Sequence, residues 1–257
     1  MHIVSASDDK YAIHLGVMLT SLFMNQDQTE HINIYIIDGN LSESNKLKLQ
    51  LIVERFNSSI HFLEIDDEVF HSFNERKRIS KQAYYRILIP NLLSTDINKA
   101  LYLDCDLIVT KDLTALWETN IEDYHLAAVE STISKKLIKY ISLPTGSGYF
   151  NSGVLLLNLE KWREDNTSEK IIRYKEKHPD QKRFMDQDAL NAVLYDKWLK
   201  LHYKWNYTTG HWNRRKIYPQ KDAVIIHFTT RKKPWNSEHP FKNEYYKYLR
   251  SSLLINE

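Results

Sequence analysis

The hydrophobic pattern of the first third of the chain switches between two periods. His2–Ser7 is a short apolar run closed by Asp8-Asp9-Lys10, and reads as a buried strand. Tyr11, Ile13, Leu15, Met18, Leu19, Leu22 and Phe23 then recur at helical spacing, with Asp8 or Asp9 placed to cap the helix. Ile32–Ile37 is a second apolar strand, ending at Asp38-Gly39-Asn40. Ser42–Arg55 reads as a helix, with Ser42 and Ser44 as cap candidates, and Ser59–Ile65 as a third strand. This β-α-β alternation from the first residue predicts a parallel, doubly wound α/β sheet.

Further along the pattern is less regular. Residues 67–79, centred on Glu75–Arg78, are charged and predict a loop. Ser80–Leu93 reads as a helix that Pro90 ends or kinks. Leu101–Thr110 is a strand-like run that begins at about Lys99, and Leu113–Glu118 is a short helix. Leu126–Val129 predicts a strand ending at Glu130. Residues 131–148, with Pro144, Gly146 and Gly148, predict a flexible crossing. Tyr149–Asn158 joins a polar turn to a buried strand, and helices are expected over Thr167–Lys177 and Gln187–Leu194. Ala223–His227 is the last clear strand, and the tail to Glu257 carries no predicted element.

Composition narrows the function classes. A length of 257 residues suits one large α/β domain, alone or with a small appendage. Lys and Arg number 35 against 33 Asp and Glu, a balance that excludes the concentrated basic excess of a general nucleic-acid binder. The single cysteine, Cys105, precludes an intrachain disulfide and favours a cytoplasmic protein. The apolar run before Asp8 is too short for a signal peptide, and no stretch approaches the roughly 18–20 apolar residues of a membrane span.

The candidate chemistry centres on Asp104 and Asp106. Side chains two apart in an extended chain point the same way, so the two carboxylates share one side. Such a pair suits Mg²⁺ or Mn²⁺ at the carboxyl edge of a sheet, as a clamp for a metal-bound diphosphate; the plainer alternative is a solvated turn. His227 ends an apolar run and reads either as a structural histidine or as a third ligand that tilts preference toward Mn²⁺. Lys233, in Arg231–Trp235, is placed to neutralise phosphate charge or to sit in a solvated basic turn. Asp186, Gln187 and Asp188 open a helix, either as caps or as a carboxylate and an amide at a sugar's reacting carbon. Asn151-Ser152-Gly153 is a turn whose glycine permits close backbone approach and whose amide can hold a sugar hydroxyl. Arg86, beside Tyr84 and Tyr85, bridges phosphate and sugar or makes a surface ion pair.

Six segments in order are similar to family 8 glycosyltransferases, the retaining enzymes of the bacterial lipopolysaccharide α-galactosyltransferase type, related to glycogenin. They are His2–Tyr11, Tyr84–Arg86, Leu101–Asp106, Tyr149–Trp162, Asp186–Asp188 and His227–Trp235. The resemblance implies the GT-A fold, a Rossmann-like, mostly parallel α/β sheet with its metal site at strand carboxyl ends. It implies one domain over residues 1–257, with a nucleotide-binding half (1–110) and a donor-sugar and acceptor half (111–257). It implies a UDP-sugar donor and Mn²⁺, with Mg²⁺ as the alternative, held by Asp104, Asp106 and His227. Ala6, Asp8, Asp9, Lys10, Tyr11, Arg86, Asp104, Cys105, Thr230 and Lys233 then fall at nucleotide positions. Arg86, Asn151, Ser152, Asp186 and Gln187 fall around the donor sugar. Lys10 stands where relatives often carry Asn, Thr230 where the lipopolysaccharide enzyme has Gly, and Glu130 near one of its aspartates.

The expected reaction is retaining transfer of galactose or glucose to a saccharide or glycoprotein-glycan acceptor, in cell-surface glycan synthesis. Gln187 is expected on the far face of the anomeric carbon. An amide is a poor nucleophile, which favours same-face attack, with Asp186 or Asp188 as the alternative covalent nucleophile. The acceptor is expected between Glu75–Arg78 and Tyr203–Lys216. Peripheral association with the inner face of the membrane is expected through a segment outside this chain. Two rivals are a haloacid-dehalogenase-like phosphohydrolase, whose Asp-x-Asp usually lies near the N-terminus, and a non-catalytic sugar-nucleotide-binding module.

Overall fold

The computed structural model describes residues 1–27, 31–65, 85–178 and 185–252. Its first elements follow the hydrophobic periods: β1 (His2–Ser7), α1 (Ala12–Asn25), β2 (Asn33–Asp38), α2 (Glu43–Glu54) and β3 (Ser59–Leu63). The Ser42 side chain accepts from the Asn45 amide and caps α2. No side chain caps α1. Asp8 instead accepts from Tyr11 N at 3.0 Å in the turn before it. Asp9 crosses to the start of α2, accepting from Ser42 N at 2.8 Å and Asn45 Nδ2 at 2.7 Å.

These strands continue into a seven-stranded sheet with β4 (Lys99–Leu103), β6 (Leu126–Glu130), β7 (Phe150–Asn158) and β8 (Trp198–Leu201), in the order β3-β2-β1-β4-β7-β6-β8. The sheet is mostly parallel, as expected. Only β7 runs against its neighbours, pairing antiparallel with β4 and β6. A smaller sheet has the order β5-β10-β9, from β5 (Leu107–Val109), β9 (Tyr207–Thr208) and β10 (Ile225–His227). The run Leu101–Thr110 is therefore not one strand. Asp104 N still donates to Gly153 O on β7 at 2.8 Å, whereas Asp106 O accepts from Phe228 N beyond β10 at 3.0 Å. The chain changes sheets across Asp104-Cys105-Asp106.

The helices after β3 are α3 (Tyr85–Leu92), α4 (Thr114–Trp117), α5 (Ser134–Tyr140), α6 (Leu159–Glu164), α7 (Thr167–Lys177), α8 (Met185–Leu194), α9 (Thr209–Trp212) and α10 (Lys242–Ser251). Pro90 lies inside α3 without ending it. Four helices depart from expectation: α5 lies in the supposed flexible crossing, α6 follows β7 directly, α9 lies in the aromatic and basic stretch Tyr203–Lys216, and α10 occupies the tail, where the pattern predicts no element. Strand alternation feeds the core on both sheet faces. Ile3, Leu101 and Leu103 pack with Leu15, Met18 and Leu19 of α1. Val4, Ala100 and Tyr102 pack with Ile87, Trp162 and Leu190 from α3, α6 and α8. A third, aromatic cluster seats Tyr245, Tyr248 and Leu249 of α10 against Tyr207, Ile226 and Phe228.

Candidate active site

The change of sheets brings the three expected metal ligands together. Antiparallel β5 and β10 pair Leu107 with His227, which sets the imidazole beside Asp106 although they are 121 residues apart in sequence. His227 Nε2 lies 3.2 Å from Asp106 Oδ1 and 3.6 Å from Asp104 Oδ2. One ligand atom from each of the three residues falls within 4.8 Å of the others. The opposite oxygen of each carboxylate is held by a cation: Arg86 Nη2 lies 3.0 Å from Asp104 Oδ1, and Lys233 Nζ 2.6 Å from Asp106 Oδ2. Tyr102 OH also donates to Asp104 Oδ1, at 2.8 Å. The oxygens facing His227 stay available, and two carboxylates with one imidazole are a fitting donor set for Mn²⁺ or Mg²⁺. Gly153 makes the close approach possible: a Cβ there would lie 2.1 Å from His227 Cε1 and 2.5 Å from Asp104 Oδ2.

A chain of amides fixes the imidazole. Gly153 N–H donates to Asn151 Oδ1 at 3.1 Å, so that oxygen is the acceptor end of Asn151. Asn206 must then offer its NH₂ to Asn151 Oδ1, at 2.7 Å, and turn Oδ1 toward His227 Nδ1, at 3.0 Å. Nδ1 therefore carries a proton, and Nε2 is the ring nitrogen turned toward the carboxylates. The other end of Asn151 donates to Gln187 Oε1 at 3.1 Å, which also accepts from Ser152 N at 3.0 Å. Gln187 Nε2 reaches Tyr149 OH at 3.2 Å, and that hydroxyl donates to Asp188 Oδ1 at 2.5 Å. Asn206 was not among the expected site residues. Its one sequence signal is an amide between Trp205 and Tyr207, two aromatic residues that are themselves buried.

Arg86 joins the metal end to the sugar end. Its Nη1 donates to Ser152 O at 2.7 Å and Ser152 Oγ at 2.9 Å, and its Nε lies 2.9 Å from Asp186 Oδ2. Burial works against its charge, but Asp104 and Asp186 outweigh that and keep the guanidinium cationic. Burial raises the Asp186 carboxyl above its usual range, with Arg86 opposing. Burial also pushes Asp106 upward, but His227 and Lys233 prevail and hold it well below the usual carboxylate range. The Cys105 thiol is raised by burial and then by the neighbouring aspartates, so it stays protonated.

A cavity of about 300 Å³ adjoins this cluster, lined by Ala6, Asp8, Tyr11, Arg86, Asp104 and Cys105 among others. Six of the ten expected nucleotide-site residues thus share one cavity. Asp9, Lys10, Thr230 and Lys233 do not line it. Asp9 is committed to α2, and Lys10 is exposed. Thr230 is exposed and donates to Lys232 O at 2.9 Å. Lys233 bridges Asp106 and the Phe228 carbonyl. Asn151, Ser152, Asp186 and Gln187 form the network on the other side of Arg86. Tyr84 and Glu75–Arg78 lie outside the described residues.

The glycosyl transferase family 8 model matches residues 2–239. The chain is 40% identical to general stress protein A of Bacillus subtilis, covering 97% of this chain and 93% of that one. It is 30% identical to a putative glycosyltransferase of Haemophilus influenzae, over 93% of this chain and 74% of the relative. Among solved structures it is similar to the galactosyltransferase LgtC in complex with donor and acceptor sugar analogues, with a TM-score of 0.87 and 26% identity, covering 100% of this chain and 98% of that one. With the mostly parallel sheet and a triad able to hold a metal at the ends of β4 and β10, the chain has the GT-A fold and belongs to glycosyl transferase family 8.

Proposed function

We propose that this protein transfers galactose or glucose from a UDP-sugar to an acceptor hydroxyl with retention of configuration, using Mn²⁺ held by Asp104, Asp106 and His227. One observation carries the reading: Asp104 Oδ2, Asp106 Oδ1 and His227 Nε2 converge while Arg86 and Lys233 hold the opposite carboxylate oxygens. Bound there, the ion would neutralise charge on the departing diphosphate. The Lys233 ammonium, beside Asp106, supplies further positive charge where the leaving group develops its negative charge.

The residues around the sugar act mainly by positioning. Gln187 Oε1 is engaged by Ser152 N and Asn151, which orients the carboxamide. Asp186 is paired with Arg86, and Asp188 is buried and bonded to Tyr149. Neither carboxylate is held as an open nucleophile, which supports same-face attack with the leaving phosphate taking the acceptor's proton. The nucleotide belongs in the cavity lined by Ala6, Asp8, Tyr11 and Cys105, with Arg86 between diphosphate and sugar. The product belongs to cell-surface glycan synthesis, and the enzyme to the cytoplasm or the inner face of the membrane. Among the described residues no helix is long and apolar enough to cross a membrane.

The test is release of UDP from a panel of UDP-sugars with and without Mn²⁺. The reading expects Mn²⁺-dependent hydrolysis of UDP-galactose or UDP-glucose and transfer once an acceptor is supplied. Hydrolysis of neither sugar in the presence of Mn²⁺ would refute it.

A further inference from the structure

A second, larger cavity lies outside the donor site. It has a volume of about 680 Å³ and is walled by the end of β6, the start of α5, the end of β8 and the turn after α9. It is continuous with strands that carry the donor site. Thr208 on β9 pairs with His227, and α9 departs from Thr208 into the cavity wall. On the other side, Glu130 pairs with Phe150, the residue before Asn151.

Its charge is out of proportion to the rest of the molecule. Lys135, Lys136, Lys200 and Arg214 line it against one carboxylate, Glu130. Four cations against one anion give the wall a net charge of +3, whereas the whole chain carries +2. Lys200 pairs with Glu130, but Lys135, Lys136 and Arg214 have no acidic partner among the described residues. Gathering like charges without counter-charge works against the folded state, and a bound anion relieves it. The rings of Tyr203 and Tyr218, edge to face at 5.1 Å, give the same cavity an aromatic wall of the kind that meets a sugar face.

We propose that this cavity seats the acceptor and that the acceptor is anionic, a glycan or polyol bearing a phosphate or carboxylate that Lys135, Lys136 and Arg214 receive. The word acceptor rests on the transferase reading; the preference for an anion rests on the cavity alone. A neutral acceptor would leave the three cations without a counter-charge. Each exposed pair contributes only a few-fold in affinity, so three acting together give about tenfold.

Calorimetry on the full chain separates the two claims. UDP titrated with Mn²⁺ reports on the donor site; absence of UDP binding counts against the transferase reading and leaves the second titration readable. Glucose 6-phosphate, glucose and glucuronic acid are then titrated into protein held with UDP and Mn²⁺. Glucose 6-phosphate is expected to bind about tenfold more tightly than glucose. The advantage should shrink at raised ionic strength and vanish in Lys135→Glu/Lys136→Glu and in Arg214→Glu. Glucuronic acid following glucose 6-phosphate identifies any anion as sufficient; following glucose, it identifies phosphate. Equal binding of glucose and glucose 6-phosphate, or an advantage that survives both charge reversals, would overturn the proposal.

Discussion

Asn206 Oδ1 lies 3.0 Å from Nδ1 of His227, and the Asn206 side chain is wholly buried. This contact ties the proton on the His227 imidazole to the backbone amide of Gly153 on β7, since the Gly153 N–H sets Asn151, and Asn151 sets Asn206. A hydrogen-bond acceptor on the far nitrogen of a ligating histidine fixes ring orientation and ligand basicity. Asn206→Ala is expected to weaken Mn²⁺ binding ~10–100-fold. A Mn²⁺ titration followed by electron paramagnetic resonance measures it, and the nitrogen shifts of His227 should show the Nε2–H form appearing. Unchanged affinity and an unchanged tautomer would show that the amide chain does not govern the ligand.

Gly153→Ala tests the close approach of β7 to the triad. The new methyl would meet His227 Cε1 at 2.1 Å, far inside contact distance, and His227 is itself buried. Overpacking of this kind costs ~1–3 kcal/mol. Urea unfolding is expected to shift by that amount, and UDP release to fall to background because the imidazole must move. Wild-type turnover in this variant would mean the triad is not tightly placed.

Arg86→Lys keeps the charge and removes the fork. Arg86 holds Asp104, Asp186 and Ser152 at once, a geometry that a single ammonium cannot reproduce. The expected outcome is a fall in kcat of ~10²-fold, the scale of a lost positioning contact. Steady-state kinetics with varied donor check it; a variant within twofold of wild type would leave Arg86 a structural ion pair only.

Stability should fall with acid in a defined window. Burial, then the charge of Arg214, lowers the His211 pKa from 6.5 to about 4. Its Nδ1 accepts from Thr208 N at 3.0 Å, which requires the neutral ring. The unfolded chain therefore takes up this proton first. The contribution is full above pH 6.5 and is lost as pH falls toward 4. The loss amounts to ~3 kcal/mol at most. His14, also lowered to about 4 mainly by burial, acts in the same window. His211→Gln keeps a capping box with Thr208 and removes one of the two titrations, so thermal midpoints between pH 7 and 4 should follow a flatter line. A slope identical to wild type would contradict the assignment.

Much of this molecule was legible in its sequence because local periods and tertiary roles agree. β1, α1 and β2 bury most of the residues their periods select, and α2 buries Leu49, Ile52 and Val53, whereas β3 is only partly covered. What stayed hidden depends on information that periodicity lacks. Apolar pattern does not record direction, so Tyr149–Asn158 gave no sign that β7 is antiparallel. The i, i+2 rule put Asp104 and Asp106 on one side, and they do converge, but through a change of sheets that only the partners of Asp104 N and Asp106 O reveal. α10 was hidden because its buried face is largely tyrosine, and Asn206 because a buried amide shows its value only when its partners are seen. The triad itself was anticipated from strand ends and family likeness, and its residues do meet.

The central claim is that Asp106 and His227 hold a divalent ion for a UDP-sugar reaction. The most direct measurement is UDP release against Mn²⁺ concentration for the wild type and Asp106→Asn, with unfolding midpoints recorded alongside. Asn keeps the size but removes the charge of a group that His227 and Lys233 hold ionised. The prediction is saturable Mn²⁺ activation in the wild type and a ~10³-fold or greater loss in the variant, the scale of several kcal/mol of lost charge stabilisation, with the fold retained. Near-normal UDP release by folded Asp106→Asn, or release indifferent to Mn²⁺ in the wild type, would contradict it.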